Sequence, residues 1–339
     1  MCCDSSVGVA EHILVTGASG FVGRALLQRF RADAAGTAHV RAAVRAQPGA
    51  GMPPLRNVDD VVVVGDLAGD TRWTAAVDGV SCVVHCAGLA HLPRSERTRA
   101  RARYQIVNVD ATLALARAAV AAGVQRIVFV SSIKVNGEET TPGRPFTPAD
   151  APSVDARRDP YAASKADAEA GLGSIGRETG LEVVIVRAPL VYGPGARANF
   201  GALVKAVAYG IPLPLAGVQN CRSLIGLDNL ADFLAVCAGH PAAARQVLLV
   251  SDGEDLSTTE LVFRIGRALD RPARLVKVPE GVLRFCAGLL GQREAARRLL
   301  GSLQVDSASS HRLLDWRPPV SVDDGLRRAV ASLAAGRAR

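Results

Sequence analysis

Tyr161-Ala-Ala-Ser-Lys165 sets a phenol and an ammonium four residues apart, a spacing that puts both on one face of a helix. A cation so placed lowers a phenol's pKa, and a phenol tuned towards neutrality can give and take a proton. Gly17-Ala-Ser-Gly20-Phe-Val-Gly23 follows the apolar run Ile13-Leu14-Val15-Thr16 and opens a helical pattern. That is the strand, glycine turn and helix in which a dinucleotide pyrophosphate is cradled. Ser131-Ser132 ends another apolar run, with Ser132 standing 29 residues before the tyrosine. Together these residues predict redox chemistry on a small molecule held against a nicotinamide.

Within the glycine turn, Gly17 permits the tight bend, Gly20 lets the backbone approach the pyrophosphate, and Gly23 lets the helix pack on the strand. Ser19, Phe21 and Val22 belong to the same candidate cofactor turn. The second apolar run ends Ala43-Val44-Arg45, without the acidic residue that commonly holds the ribose 2′-hydroxyl of NAD. Arg45 offers a fork suited to a 2′-phosphate, so the expected cofactor is NADP(H) or NAD(H), with NADP(H) preferred.

These side chains need strands and helices to bring them together. Short apolar runs at Ile13–Thr16, Val40–Arg45, Val61–Gly65, Cys82–Cys86, Ile127–Ser131 and Val183–Arg187 alternate with helical patterns at Gly20–Arg31, Arg103–Ala122 and Tyr161–Thr179. Such alternation predicts an α/β fold with a doubly wound parallel sheet, right-handed crossovers and a ligand crevice at the carboxyl ends of the strands. After Arg187 the alternation breaks at Pro189, Gly193-Pro194-Gly195, Pro212 and Pro214, where the chain is expected to leave the sheet and build a smaller lobe. Leu227–Cys237 and Gln246–Val250 read as a return to the sheet, and Ser257-Thr-Thr-Glu260 caps a helix over Ser257–Leu269. Val282–Leu300 reads as a lobe helix that packs its apolar residues inward, in preference to a basic amphipathic helix lying on a membrane.

The glycine turn, Asn108-Val-Asp-Ala-Thr112, the serine and the Tyr-x-x-x-Lys pair occur in this order. From Ile13 to about Ser332 the chain resembles the extended short-chain dehydrogenase/reductases that act on nucleotide sugars as epimerases, dehydratases and 4-keto reductases. The resemblance implies a Rossmann-type dinucleotide-binding domain over residues 11–188 plus 224–250, and a C-terminal substrate-binding lobe over 189–223 plus 251–332. It implies that Ser132 hydrogen-bonds the sugar oxygen at the reacting carbon, with Ser131 as a rival one residue away. Tyr161 is then the proton donor or acceptor, Lys165 lowers its pKa and binds the nicotinamide ribose, and Asn108 helps order a proton relay towards the lysine. Asp66-Leu67 resembles the pair that flanks the adenine. In His85-Cys86-Ala87-Gly88, small residues such as Ala87 let the nicotinamide ribose approach, and His85 is either a site residue or a packed histidine. Arg187-Ala-Pro189-Leu-Val-Tyr192-Gly-Pro-Gly195 resembles the segment leading from nicotinamide to sugar, with Pro189 against the cofactor. Asn199 opens a helix that can meet a diphosphate, and Arg222 matches a diphosphate arginine.

One departure narrows the chemistry. The dehydratases of this family carry Asp-Glu directly after the active-site serine or threonine, whereas this chain has Ile133-Lys134. A lysine of ordinary pKa cannot replace the glutamate as a base, so dehydration is disfavoured. Ser132-Ile-Lys-Val-Asn-Gly-Glu138 and Arg222-Ser-Leu-Ile-Gly-Leu-Asp-Asn-Leu230 look most like the UDP-N-acetyl-4-keto-6-deoxyhexose reductases of surface-polysaccharide pathways. The alternatives are a UDP-glucose or UDP-N-acetylglucosamine 4-epimerase with tightly bound NAD and, from another class, a non-catalytic dinucleotide-sensing protein. The expected partners are a UDP-sugar and a second copy of the chain, as a homodimer.

Composition sets the outer bounds. A chain of 339 residues with 49% hydrophobic and 21% charged residues has the make-up of a globular protein with ample core. No apolar run is long enough to cross a bilayer, and Met-Cys-Cys-Asp-Ser-Ser lacks the features of a signal peptide, so the cytoplasm is expected. The seven cysteines (Cys2, Cys3, Cys82, Cys86, Cys221, Cys237, Cys286) are odd in number and lack zinc-ligand spacing, so no metal site is expected. A net charge of +8 with 4% aromatics suits the phosphates of a dinucleotide and a nucleotide sugar, and nucleic acid is not an expected partner.

Overall fold

Seven runs of branched apolar residues form one parallel sheet, and burial on both faces explains why they are continuous rather than alternating. The computed structural model describes residues 11–32, 38–46, 55–69, 71–90, 92, 99–141, 143–155, 157–196 and 198–335. Within these, strands β1 (His12–Thr16), β2 (His39–Val44), β3 (Asp60–Val63), β4 (Cys82–His85), β5 (Arg126–Ser132), β6 (Glu182–Ala188) and β9 (Val247–Leu249) stand in the order β3-β2-β1-β4-β5-β6-β9. Every pair in the sheet is parallel. The order reverses between β1 and β4, the switch point at whose carboxyl strand ends doubly wound sheets bind ligands. The expected six strands are present with ends displaced by one or two residues. Leu227–Cys237 becomes the helix Leu227–Gly239, which packs on the sheet, and Gln246–Val250 supplies β9 at the sheet edge.

Two apolar cores cover the sheet. One face packs Leu26, Leu27 and Phe30 of the helix Phe21–Ala32 with Phe233 and Leu234 of the helix Leu227–Gly239. The other packs Leu115, Leu172 and Ile175 against Val83, Ile127 and Phe129. Three strands, β7 (Leu190–Tyr192), β8 (Arg222–Gly226) and β10 (Asp255–Leu256), form a second sheet in the order β10-β8-β7 with its own core around Tyr192, Phe200 and Val262. The helix Thr258–Ala268 starts at the expected cap, Ser257 Oγ accepting from the Glu260 amide at 3.0 Å.

Two helical expectations are corrected. Arg103–Ala122 is not one uniform helix: a π-helical turn, Gln105–Asp110, joins Ala100–Tyr104 to Ala111–Ala121. The wider turn accommodates an extra residue and re-aims the side chains it carries, among them Asn108. Val282–Leu300 is two helices, Glu280–Leu289 and Arg293–Leu300, divided at Gly291 with φ 66°. Glu280–Leu289 buries none of its residues, and Val282, Phe285 and Leu289 face outward. No helix among the described residues is long and apolar enough to cross a membrane.

Candidate functional site

The helix carrying Tyr161 begins where the sequence can start one. Asp159 caps it, accepting from the Ala162 amide at 3.0 Å, and Pro160 occupies its first turn, where a missing amide hydrogen costs nothing. The helix runs Pro160–Thr179 and stops at Gly180, φ 83°. Tyr161, Lys165 and Glu169 therefore share the face turned to the ends of β5 and β6.

The pleat of β5 separates the two candidate serines, since neighbouring side chains in a strand point to opposite faces. Ser132 lies beside the Tyr161 side chain, and its Oγ accepts from the Lys134 amide at 3.3 Å. Ser131 is buried and donates to Glu169. Ser132→Ala is expected to lower kcat by about tenfold or more with little change in stability, because Ser132 is only partly buried. Ser131→Ala should leave kcat near wild type and cost about 1–3 kcal/mol, since a buried carboxylate oxygen loses one of its two donors, Arg187 Nε remaining at 3.1 Å. Steady-state rates and urea unfolding of the two variants check the split.

Lys165 is buried, donates from Nζ to the Val130 carbonyl at 2.9 Å and lies 4.4 Å from the centre of the Phe129 ring. Burial pushes its pKa down to about 8, against the weaker upward pull of Cys86 and Glu169. Burial also pushes Tyr161 up to about 12; the neighbouring Ser132 hydroxyl works the other way, while Asp159 and Tyr104 add to the rise. The expectation that the lysine charge lowers the phenol's pKa is therefore not met in this arrangement. The ammonium is turned to the Val130 carbonyl, and desolvation governs the phenol.

A buried ammonium carries a stability penalty with a definite sign. Unfolded, the lysine keeps its ordinary value of 10.5; folded, it titrates near 8. Between those values the unfolded chain binds more protons, so this group makes stability rise with pH across that window. Lys165→Met removes the penalty and also the bond to Val130. At about pH 7 the nucleotide-free variant is expected to be more stable by up to about 3 kcal/mol, the gain shrinking towards zero near pH 10.5. Urea unfolding of both proteins across this pH range checks it.

Asn108 is buried, accepts from the Leu89 amide at 2.7 Å, and donates to the Leu89 carbonyl and to Ser164 Oγ, each at 3.0 Å. It thus clamps the loop after β4 to the tyrosine helix. Gly88 lies between: a Cβ there would stand 3.2 Å from Asn108 Oδ1 and 3.4 Å from Lys165 Nζ. His85 is a packed histidine. Its two ring nitrogens meet Thr16 Oγ1 at 2.6 Å and Thr112 Oγ1 at 2.9 Å, the ring stacks on Phe129, and burial drives its pKa down to about 3.

At the switch point Gly17 takes φ 65°, and a Cβ on it would stand 2.7 Å from the Ala87 amide nitrogen. Gly23 has no room at all, since a Cβ would come within 2.2 Å of the Gly17 carbonyl oxygen. Gly20 is exposed, and its amide donates to Gly17 O at 2.8 Å. Arg24 Nε ties down the Ser19 carbonyl, Phe21 and Val22 pack on the core, and the Ala87 amide donates to Thr16 Oγ1 at 3.2 Å. A turn this closely packed, ahead of a helix whose first amides lack intrahelical acceptors, fits a pyrophosphate. Arg45 stands exposed just past β2; Asp66 is exposed and accepts from the Ala68 amide, while Leu67 packs on the core. Pro189 is buried between β6 and β7. The side chain of Asn199 lies outside the described residues.

Arg222 donates to the Gly301 carbonyl at 2.9 Å, and its pKa is lowered by burial, with Glu139 opposing and Arg298 adding to the fall. It stands beside a chain of ion pairs that leads back to the tyrosine helix. Arg297 pairs with Glu138 at 2.8 Å, Glu138 with Lys134 at 3.3 Å, and Lys134 with the helix cap Asp159. Sequence reading had noticed Lys134 only as a departure and passed over Asp159 and Glu169. The Asp-Pro cap ahead of Tyr161 and the 161/165/169 spacing were the available signals. Arg187, the first residue of the segment Arg187–Gly195, is turned inward. It forms a buried pair with Glu169 at 2.6 Å and donates to Asn136 Oδ1 at 3.0 Å, so it braces the site from beneath.

The model of the NAD dependent epimerase/dehydratase family matches residues 13–250. A UDP-glucose 4-epimerase of Vibrio cholerae is 38% identical over 333 residues, 97% of each chain. A GDP-6-deoxy-D-mannose reductase of Pseudomonas aeruginosa is 27% identical over 95% of this chain and 97% of its own. Among solved structures, a UDP-glucuronic acid 4-epimerase of Bacillus cereus, determined in complex with NAD, superposes with a TM-score of 0.74 at 19% identity, over 95% of this chain and 96% of its own. The parallel sheet, the glycine turn at its switch point and a family match over most of the chain lead to one conclusion: the protein belongs to the NAD dependent epimerase/dehydratase family.

Proposed function

We propose that this protein is a nucleotide-sugar oxidoreductase working at C4 of a UDP-hexose. The observation that carries the reading is the placing of Ser132, at the end of β5, beside Tyr161 and the buried Lys165 on the facing helix. Ser132 orients O4 of the sugar, and Tyr161 exchanges the O4 proton. Lys165 and the Gly88–Asn108 clamp border the space for a nicotinamide ribose, and the turn from Gly17 to Gly23 holds the pyrophosphate. Such a dinucleotide, when bound, supplies the hydride acceptor or donor. Arg222, with the basic residues beside it, is the anchor for the sugar diphosphate. Residues 11–188 plus 224–250 serve the dinucleotide, and 189–223 plus 251–332 serve the sugar, although β8 stays within the smaller sheet as far as Gly226.

Ile133 is buried and Lys134 is engaged by Asp159 and Glu138, which leaves no acid-base pair after Ser132 for dehydration. Of the remaining reactions, Arg45 at the end of β2 supports reduction of a UDP-4-keto-6-deoxy-N-acetylhexosamine with exchangeable NADPH. A second reading, UDP-glucose 4-epimerisation with retained NAD, is favoured by the full-length likeness to the Vibrio cholerae protein. One experiment separates them: the nucleotide released from denatured protein is identified, and the native protein is assayed with a UDP-4-keto sugar plus NADPH and with UDP-glucose alone. Consumption of NADPH with the ketone supports the reductase. Tightly held NAD with interconversion of UDP-glucose and UDP-galactose would overturn it in favour of the epimerase, and turnover of neither would sink the C4 assignment.

A further inference from the structure

The helix Glu280–Leu289 has its amphipathic pattern turned the wrong way for a core helix. Leu283, Ala287 and Gly288 are the residues with partial cover, and Leu283 is the one packed on the lobe's core. Val282, Phe285, Cys286 and Leu289 form an i, i+3, i+4, i+7 stripe on the outer side. Phe285 is 67% exposed and Leu289 and Leu290 74% each, so the most apolar face of this helix meets solvent. A contiguous apolar stripe of this kind marks an interaction surface.

The surrounding charge says what the surface meets. Residues 271–300 carry seven Lys and Arg against two Asp and Glu, +5 of the chain's net +8, of which Arg297 is turned to Glu138 and Arg284 also pairs with Glu280. Arg284 and Arg293 are exposed on and beside the stripe. Apolar side chains flanked by arginines in a helix lying flat are the arrangement that binds an anionic bilayer surface, the rings and alkyl groups entering the acyl boundary and the guanidinium groups meeting lipid phosphates. A second copy of the chain is a poor occupant, because an isologous contact would set the same excess positive charge against itself. We infer that the outer stripe of Glu280–Leu289, with its basic rim, docks this protein on an anionic membrane surface. Docking would present to the bilayer the side of the smaller lobe where Glu280 and Arg284 help line a cavity of about 380 Å³.

The test is co-sedimentation of the full chain with vesicles of phosphatidylglycerol and phosphatidylethanolamine, alongside phosphatidylcholine vesicles. Binding to the anionic vesicles alone, weakening as salt is raised, is the expected result. Phe285→Ser/Leu289→Ser should weaken that binding by about tenfold or more, with its thermal melt and its turnover of a soluble UDP-sugar at the wild-type level. Should the double variant misfold, Arg293→Glu tests the same surface from its rim, and it too should weaken binding and flatten its dependence on anionic lipid. Failure of wild type to bind anionic vesicles, or equal binding to phosphatidylcholine, overturns the inference. So does a wild-type dimer that Phe285→Ser/Leu289→Ser converts to monomer without any vesicle binding, which would assign the stripe to a second copy.

Discussion

Tyr161→Phe is expected to lower kcat by about 10²–10⁴-fold, the range that a positioned proton donor contributes. The phenol oxygen is the group beside Ser132, and phenylalanine keeps the ring and its edge-on contact with Tyr104, 5.8 Å between centroids. Folding and dinucleotide affinity should therefore survive while proton exchange at O4 does not. Turnover measured with saturating sugar and cofactor, together with a cofactor titration, distinguishes loss of chemistry from loss of binding. If every measurable turnover is unchanged, the phenol is not the proton-transfer group, and a non-catalytic dinucleotide-sensing role gains ground.

The second large effect concerns stability. Arg187 and Glu169 form an ion pair in which both side chains are only 5% exposed. Their attraction offsets the cost of taking both charges out of water, and neither charge is supported alone. Arg187→Ala is expected to destabilise the protein by about 3–5 kcal/mol. It would strand Glu169 and leave Asn136 Oδ1 without the donor it has at 3.0 Å. Replacing both members with leucine should recover a large part of that loss, because an apolar pair of similar volume carries no uncompensated charge. Urea unfolding of the two single variants and the double variant completes the cycle. A single variant within about 0.5 kcal/mol of wild type would show that water replaces the lost partner.

Much of this architecture was legible from residues near one another in the chain. Branched apolar runs at β1, β4, β5 and β6 are continuous because both faces of a parallel strand are covered. The turn from Gly17 to Gly23 declares itself because only glycine tolerates a backbone approach such as the 2.2 Å that a Cβ on Gly23 would face. The pairing of Tyr161 with Lys165 on one helical face follows from helix geometry alone, and the Ser257 cap from local hydrogen bonding. Local residue patterns thus settle the fold class, the position of the dinucleotide turn and the small set of residues able to do the chemistry.

Tertiary structure decided how those residues point and what sets their charge. Ser131 and Ser132 are equivalent in sequence; they differ because Glu169, 38 residues on, is packed against one face of β5. Arg187 ends its strand as a substrate-side arginine would, yet the same Glu169 turns it inward. The π-helical turn carrying Asn108 has no local signature, because it is stabilised by the loop after β4, which Asn108 holds through both Leu89 backbone groups. Desolvation likewise depends on everything packed around a group. Hence Tyr161 rises to about 12 and Lys165 falls to about 8, although spacing alone predicted a lowered phenol. The helix Glu280–Leu289 shows the same limit: periodicity marks an apolar stripe, but only the neighbouring elements decide whether that stripe lies against the core or outside it.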